Sequence, residues 1–169
     1  THLGNWEFGV STAALNGLPV DVVVKEAKSP MAQKFLDWYR NRFGVGIFFE
    51  TKTVKEIFNS INSGRFTAFI LDQFMGPPVG VLVDFFGKPA GTAAGLALFC
   101  EKRDIPVFPA YNYRDSQGKL TTVIEPQIKY GQLSEDRETR IYQRTQVYNN
   151  AMEQMIRKHP EQWLWLHRR

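Results

Sequence analysis

The chain of 169 residues is 43% apolar and 22% charged, a balance that suits one domain with a sizeable core and excludes a disordered chain. Its net charge of +4 permits contact with anionic lipid, an acidic carrier or nucleic acid and does not choose among them. The one cysteine, Cys100, excludes an internal disulfide framework, and no apolar stretch approaches the ~20 residues that span a bilayer.

Residues 5–17 read as a helix ending at Gly17, and the β-branched run 20–24 as a strand. Ser29 followed by Pro30 opens a helix through Arg42, closed by Gly44, with Met31, Phe35, Trp38 and Tyr39 at helical spacing. A short strand at 46–49 precedes a helix over 53–62, which carries Val54, Ile57, Phe58 and Ile61 on one face and stops at Gly64. The apolar run 66–71 reads as a strand buried on both sides. After the turn-rich segment DQFMGPPVG come a strand at 81–85, a helix at 90–102 rich in small residues, strands at 105–111 and 120–124, and a long polar helix over 137–158. This alternation predicts an α/β layered sandwich with a mostly parallel central sheet flanked by helices, in which sites gather at the carboxyl ends of strands. No linker or repeat marks a domain boundary. Thr1 is not a natural start, so the chain is expected to be a fragment of a longer protein.

Aromatic residues make up 14% of the chain, more than a core of this size needs, and they direct attention to apolar grooves. The spacing His2-x4-Glu7 places an imidazole just before a helix and a carboxylate in its first turns. Such a carboxylate can fix the ring's tautomer and leave the other nitrogen to take a proton from a hydroxyl; the same spacing suits a capping histidine beside a surface glutamate. Asp72-Gln73, at the end of an apolar strand, suits a site or a turn opening the Gly76-Pro77-Pro78 loop. Residues 85–92, FFGKPAGT, join a strand to the helix expected at 90–102. There Gly87 and Gly91 allow close backbone approach, and Thr92 or the helix's amides suit an anion; the alternative is an ordinary turn with Phe85 and Phe86 in the core. Arg42 and Arg114 suit either an anion or local structural contacts. The tail 159–169, HPEQWLWLHRR, mixes rings with cations, which fits a membrane interface or docking of tryptophan on the core, and His167 is not read as catalytic. Three histidines and one cysteine show no metal-ligand spacing, the phosphate-loop, dinucleotide and serine-elbow motifs are missing, and no basic stripe points to nucleic acid.

Taken together, HLGNWE, DQ after an apolar strand, VDFFGKPAGT and HPEQWLWLHRR resemble the bacterial lipid A biosynthesis (late) acyltransferases of lauroyl/myristoyl type, within the lysophospholipid acyltransferase superfamily. The resemblance runs over residues 2–169. The His-x4-Glu box is shared across the superfamily, whereas FFG-x-PA-x-T and PEQW-x-W-x-HRR are far more specific to this branch. It implies a single catalytic domain over 1–169, preceded in the whole protein by a membrane anchor. It implies a fatty acyl group moved from acyl carrier protein to a hydroxyl of a lipid A precursor, at the cytoplasmic face of the bacterial inner membrane, with no metal or organic cofactor. By the same resemblance His2 is the general base and Glu7 its orienting carboxylate. Arg42, Asp72 and Gln73 belong to the active-site region, and Phe85, Phe86, Gly87 and Thr92 help shape the groove; Arg114 matches less sharply. Rival acceptors are a lysophospholipid or a phosphatidylinositol mannoside, and the rival class is a non-catalytic lipid- or carrier-binding member.

Overall fold

The computed structural model describes residues 1–49 and 54–166, an α/β chain with a small parallel sheet and five α-helices among those residues. It divides into two compact units, Asn5–Ile70 and Thr1–Gly4 with Leu71–Arg169. The expected helix start at Thr53 and the terminal His167-Arg168-Arg169 lie outside the described residues.

In the unit Asn5–Ile70, α1 (Trp6–Leu15) begins where the Asn5 side chain accepts the Phe8 N–H, and α2 (Pro30–Arg42) where Ser29 accepts the Ala32 N–H. The strands are β1 (Val20–Val24), β2 (Gly46–Phe49) and β3 (Phe66–Phe69), with α3 (Val54–Asn62) before the last. They pair in parallel in the order β2-β1-β3, with Val22 opposite Ile47 and Ala68. The central strand is covered on both faces, which is why it reads as an unbroken β-branched run. Val20, Val22, Val24 and Val45 form the core, and Trp6, Val10, Phe43 and Ile47 pack against it. The buried exception on β1 is Asp21, which takes Arg65 at 2.6 Å and the Ser60 hydroxyl.

The helix α2 is turned inside out. Its buried positions are Gln33 and Arg40, while Met31, Phe35 and Trp38 are 81%, 61% and 57% exposed. Hydrogen bonding fixes this orientation. Gln33 accepts the Ala27 N–H at 2.7 Å and donates to Asp37, and Arg40 grips Glu7 beneath it. Of the apolar residues at helical spacing, Met31, Phe35 and Trp38 thus lie on an outer face, while Tyr39 is half-buried against Phe8 and Phe43.

In the other unit, β4 (Gly80–Phe85) and β5 (Lys88–Ala93) form an antiparallel hairpin. The helix α4 (Gly95–Lys102) follows, then the hairpin β6 (Ala110–Arg114) with β7 (Leu120–Ile124), then α5 (Arg137–Lys158) and a 3₁₀ turn at Pro160–Gln162. The long helix lies along β4, burying Tyr148, Met152, Met155 and Ile156. Its polar side chains hold the hairpin's end: Gln146 accepts the Asp84 N–H at 2.7 Å and Glu153 the Phe86 N–H at 2.6 Å.

Several expectations are corrected. Residues 90–102 are not one helix: 90–93 belong to β5 and only Gly95–Lys102 is helical. The cause is the two-residue turn at Phe86 (φ 53°) and Gly87 (φ 76°), both left-handed, which matches strand twist and returns the chain antiparallel. FFGKPAGT therefore joins two strands, not a strand and a helix. The strand expected at 66–71 stops at Phe69, and that expected at 105–111 starts only at Ala110. Among the described residues, β1–β3 pair in parallel, as expected of the sheet, and four further strands make two antiparallel hairpins. Among the described residues no helix is long and apolar enough to cross a membrane.

Candidate active site

The first four residues are held as an added strand segment. Leu3 bridges Trp163 in antiparallel fashion, the Gly4 N–H donates to the Gln162 carbonyl at 3.0 Å, and the Leu164 N–H donates to the His2 carbonyl at 3.3 Å. Gly4 sits at φ 64°, and a Cβ there would lie 2.4 Å from the Asn112 carbonyl oxygen. Both constraints demand glycine, since the close neighbour is backbone and the conformation is left-handed. Gly4→Ala should therefore displace the segment carrying His2, with stability lowered by more than ~1 kcal/mol, checked by urea unfolding.

This pairing delivers His2 to Asp72, which follows β3 and is 0% exposed. The ring Nδ1 lies 2.9 Å from Asp72 Oδ1, and the His2 backbone N–H donates to Oδ2 at 2.5 Å. The Trp163 indole Nε1–H donates to the same Oδ2 at 2.9 Å. One buried carboxylate thus fixes both the main chain and the ring of residue 2. Burial by itself favours the protonated acid. The hydrogen bond from His2, its charge when the ring is protonated, and the Trp163 indole act against it and hold the carboxyl below the usual range. An ionised carboxylate only accepts hydrogen bonds, so the neutral form of the ring carries its proton on Nδ1 and its lone pair on Nε2.

A carboxyl depressed below its unfolded value of ~3.9 stabilises the fold at neutral pH, and that contribution is lost as pH falls from ~4 toward the folded value. The stability gap between the native chain and Asp72→Asn should accordingly be wide at pH 7 and narrow below pH ~4, as read by denaturant titration at each pH.

The second carboxylate of the box lies in the unit Asn5–Ile70. Glu7 meets Arg40 through two parallel bonds, Nε to Oε2 at 3.1 Å and Nη2 to Oε1 at 2.5 Å. Arg40 is 3% exposed and also covers the Trp6 ring. The carboxylate on His2 Nδ1 is therefore Asp72, and Glu7 is the anchor of a buried arginine.

The remaining candidates separate by position. Phe85 is buried edge-on against Trp163, 5.8 Å between ring centres, so it buttresses the indole that holds Asp72. Phe86 is half-buried with Arg157 over its ring, and Gly87 is the exposed turn residue. Thr92 is 0% exposed, and its hydroxyl donates to Asn149, so it is a core polar contact rather than an anion donor at a helix start. Gln73 is half-buried beside Asp72. Arg114 is exposed. Gln162 clamps its main chain at 2.7 and 2.9 Å, and its guanidinium donates to the Gly118 carbonyl. Arg42 is exposed and lies over Trp38 in the other unit. Two residues escaped the sequence reading as site components, Trp163 and Arg40. The available signals were general ones: a buried indole needs an acceptor, and a buried arginine needs a carboxylate.

An ionised carboxylate on Nδ1 with the lone pair on Nε2 is the constellation of a general-base catalyst, carried here on an α/β chain. The family model for bacterial lipid A biosynthesis acyltransferases matches residues 1–169, and the chain belongs to that family. It is 27% identical over 166 residues to the lipid A biosynthesis acyltransferase of Haemophilus influenzae (strain Rd), a match covering 95% of this chain and 49% of that one. The chain thus spans about half the length of the curated relative it matches.

Proposed function

We propose that this chain is the catalytic part of an O-acyltransferase that moves a fatty acyl group from acyl carrier protein to a hydroxyl of a lipid A precursor. The work is done at the cytoplasmic face of the inner membrane, without metal or organic cofactor. The observation that carries the chemistry is the Asp72–His2 pairing. With Nδ1–H pinned, Nε2 removes the acceptor's hydroxyl proton as its oxygen attacks the thioester carbonyl. The tetrahedral adduct collapses to the new ester and a thiolate, which takes the proton back from the imidazolium. Asp72 stays ionised throughout and stabilises the transient cation. Glu7 acts through Arg40, fixing the first turns of α1, and the exposed cations Arg42 and Arg114 serve the phosphates of the acceptor or carrier. The complete layered sandwich of the glycerolipid acyltransferases, with this chain as one catalytic domain, belongs to the same reading.

The test uses the full-length protein in detergent with acyl carrier protein charged with a labelled fatty acid. Label should pass to the lipid A precursor, and His2→Ala should stop it. Transfer to a lysophospholipid or a phosphatidylinositol mannoside instead would discard the acceptor and keep the chemistry. Binding of carrier without turnover to any lipid would discard the enzyme.

A further inference from the structure

We infer that the outer face of α2 is a docking surface for an anionic lipid bilayer. Met31, Phe35, Trp38 and Arg42 recur at steps of four, three and four, which places them on one narrow stripe of the helix. The first three are exposed by more than half, and the Phe35 and Trp38 rings touch at 5.9 Å between centres, so the apolar groups form one patch rather than scattered residues. The inner side of the helix already holds Leu36 and Tyr39 beside the buried Gln33 and Arg40, so the methionine, phenylalanine and tryptophan shown to water form a second apolar face, the polarity of a segment whose outer side meets an apolar medium.

The charges on this face select the medium. The Arg42 guanidinium lies 5.9 Å from the centre of the Trp38 ring, an arrangement suited to a headgroup level where the indole sits at the acyl boundary and the cation meets phosphate. Lys34 is exposed alongside the stripe. At the helix start a hollow of about 550 Å³ is lined by Glu26, Ala27, Lys28, Pro30, Gln33 and Lys34, so two ammonium groups and one carboxylate, a net positive set, flank a space large enough for a lipid headgroup. The acid on the helix, Asp37, is half-buried and engaged by Gln33. Rings and a thioether framed by cations describe an interfacial helix that lies in the plane of an anionic membrane. The inference rests on the acceptor being a membrane lipid, and it assigns that lipid's surface to a particular face of the chain.

The experiment places an environment-sensitive fluorophore on Trp38→Cys in a Cys100→Ser background of the full-length protein. The protein is reconstituted with vesicles of phosphatidylcholine containing phosphatidylglycerol, with vesicles of phosphatidylcholine alone, and separately mixed with acyl carrier protein. The expected result is blue-shifted emission in the anionic vesicles, quenched by bromines on the acyl chains and shielded from iodide, with a smaller shift in phosphatidylcholine alone. Phe35→Glu should lower turnover of precursor embedded in anionic vesicles several-fold and leave turnover of detergent-dispersed precursor unchanged. Emission and iodide access that are the same with and without vesicles would overturn the inference. So would a shift produced by the carrier and not by lipid, or a Phe35→Glu protein that works equally well on both forms of precursor. Loss of all turnover in the native protein would count against the reaction, while the fluorophore still reads the surface.

Discussion

Asp72→Asn should leave the chain folded and lower acyl transfer by ~10⁴, the scale seen when a catalytic histidine is locked in the wrong tautomer. The direction follows from the partners of each oxygen. Oδ2 receives two N–H donors, the His2 main chain and the Trp163 indole, so an amide must place its own oxygen there. Its NH₂ then faces Nδ1. A donor against Nδ1 forces the lone pair onto that nitrogen and the proton onto Nε2, and the ring has nothing left with which to take a hydroxyl proton. Single-turnover rates with charged acyl carrier protein, measured beside a circular dichroism melt, decide the matter. A folded Asp72→Asn protein that turns over at the native rate would remove Asp72 from the mechanism.

Glu7→Ala should act chiefly on stability, costing about 3–5 kcal/mol, because it strands the buried Arg40 guanidinium without its carboxylate. Changing both residues, Glu7→Ala with Arg40→Met, should recover much of that loss, since an apolar pair of similar volume leaves no uncompensated charge. Urea unfolding of the single and double variants gives the comparison. If Glu7→Ala melts like the native chain yet fails to transfer acyl groups, the glutamate belongs to the chemistry itself rather than to the support of α1.

Local signals carried much of the fold. The run Val20–Val24, the Ser29-Pro30 helix start and the long polar helix Arg137–Lys158 all stand where propensity and capping place them. The failures come from information that is not local. Ala90, Gly91 and Thr92 look like helix or turn until the left-handed pair Phe86-Gly87 folds them back as a strand beneath α5. The apolar spacing on α2 gives a face but not which way it points; the polar contacts of Gln33 and Arg40 settle that. In the site, proximity in sequence favours Glu7 as the partner of His2, whereas the carboxylate that reaches Nδ1 is Asp72. Arg42 drew notice as a helix-end cation, whereas Arg40, two residues earlier and on the opposite side, is the arginine the fold buries.

The contacts of Asp72 join residues 70 and 91 positions apart, from His2 to Asp72 and from Asp72 to Trp163. Loops of that length close late, because their entropy must be lost before any contact rewards it. The pairing of His2 with Asp72 is therefore a property of long-range contacts and not of the local motif. A chain lacking Trp163 would keep the His2-x4-Glu7 motif but lose the indole that holds Asp72 Oδ2.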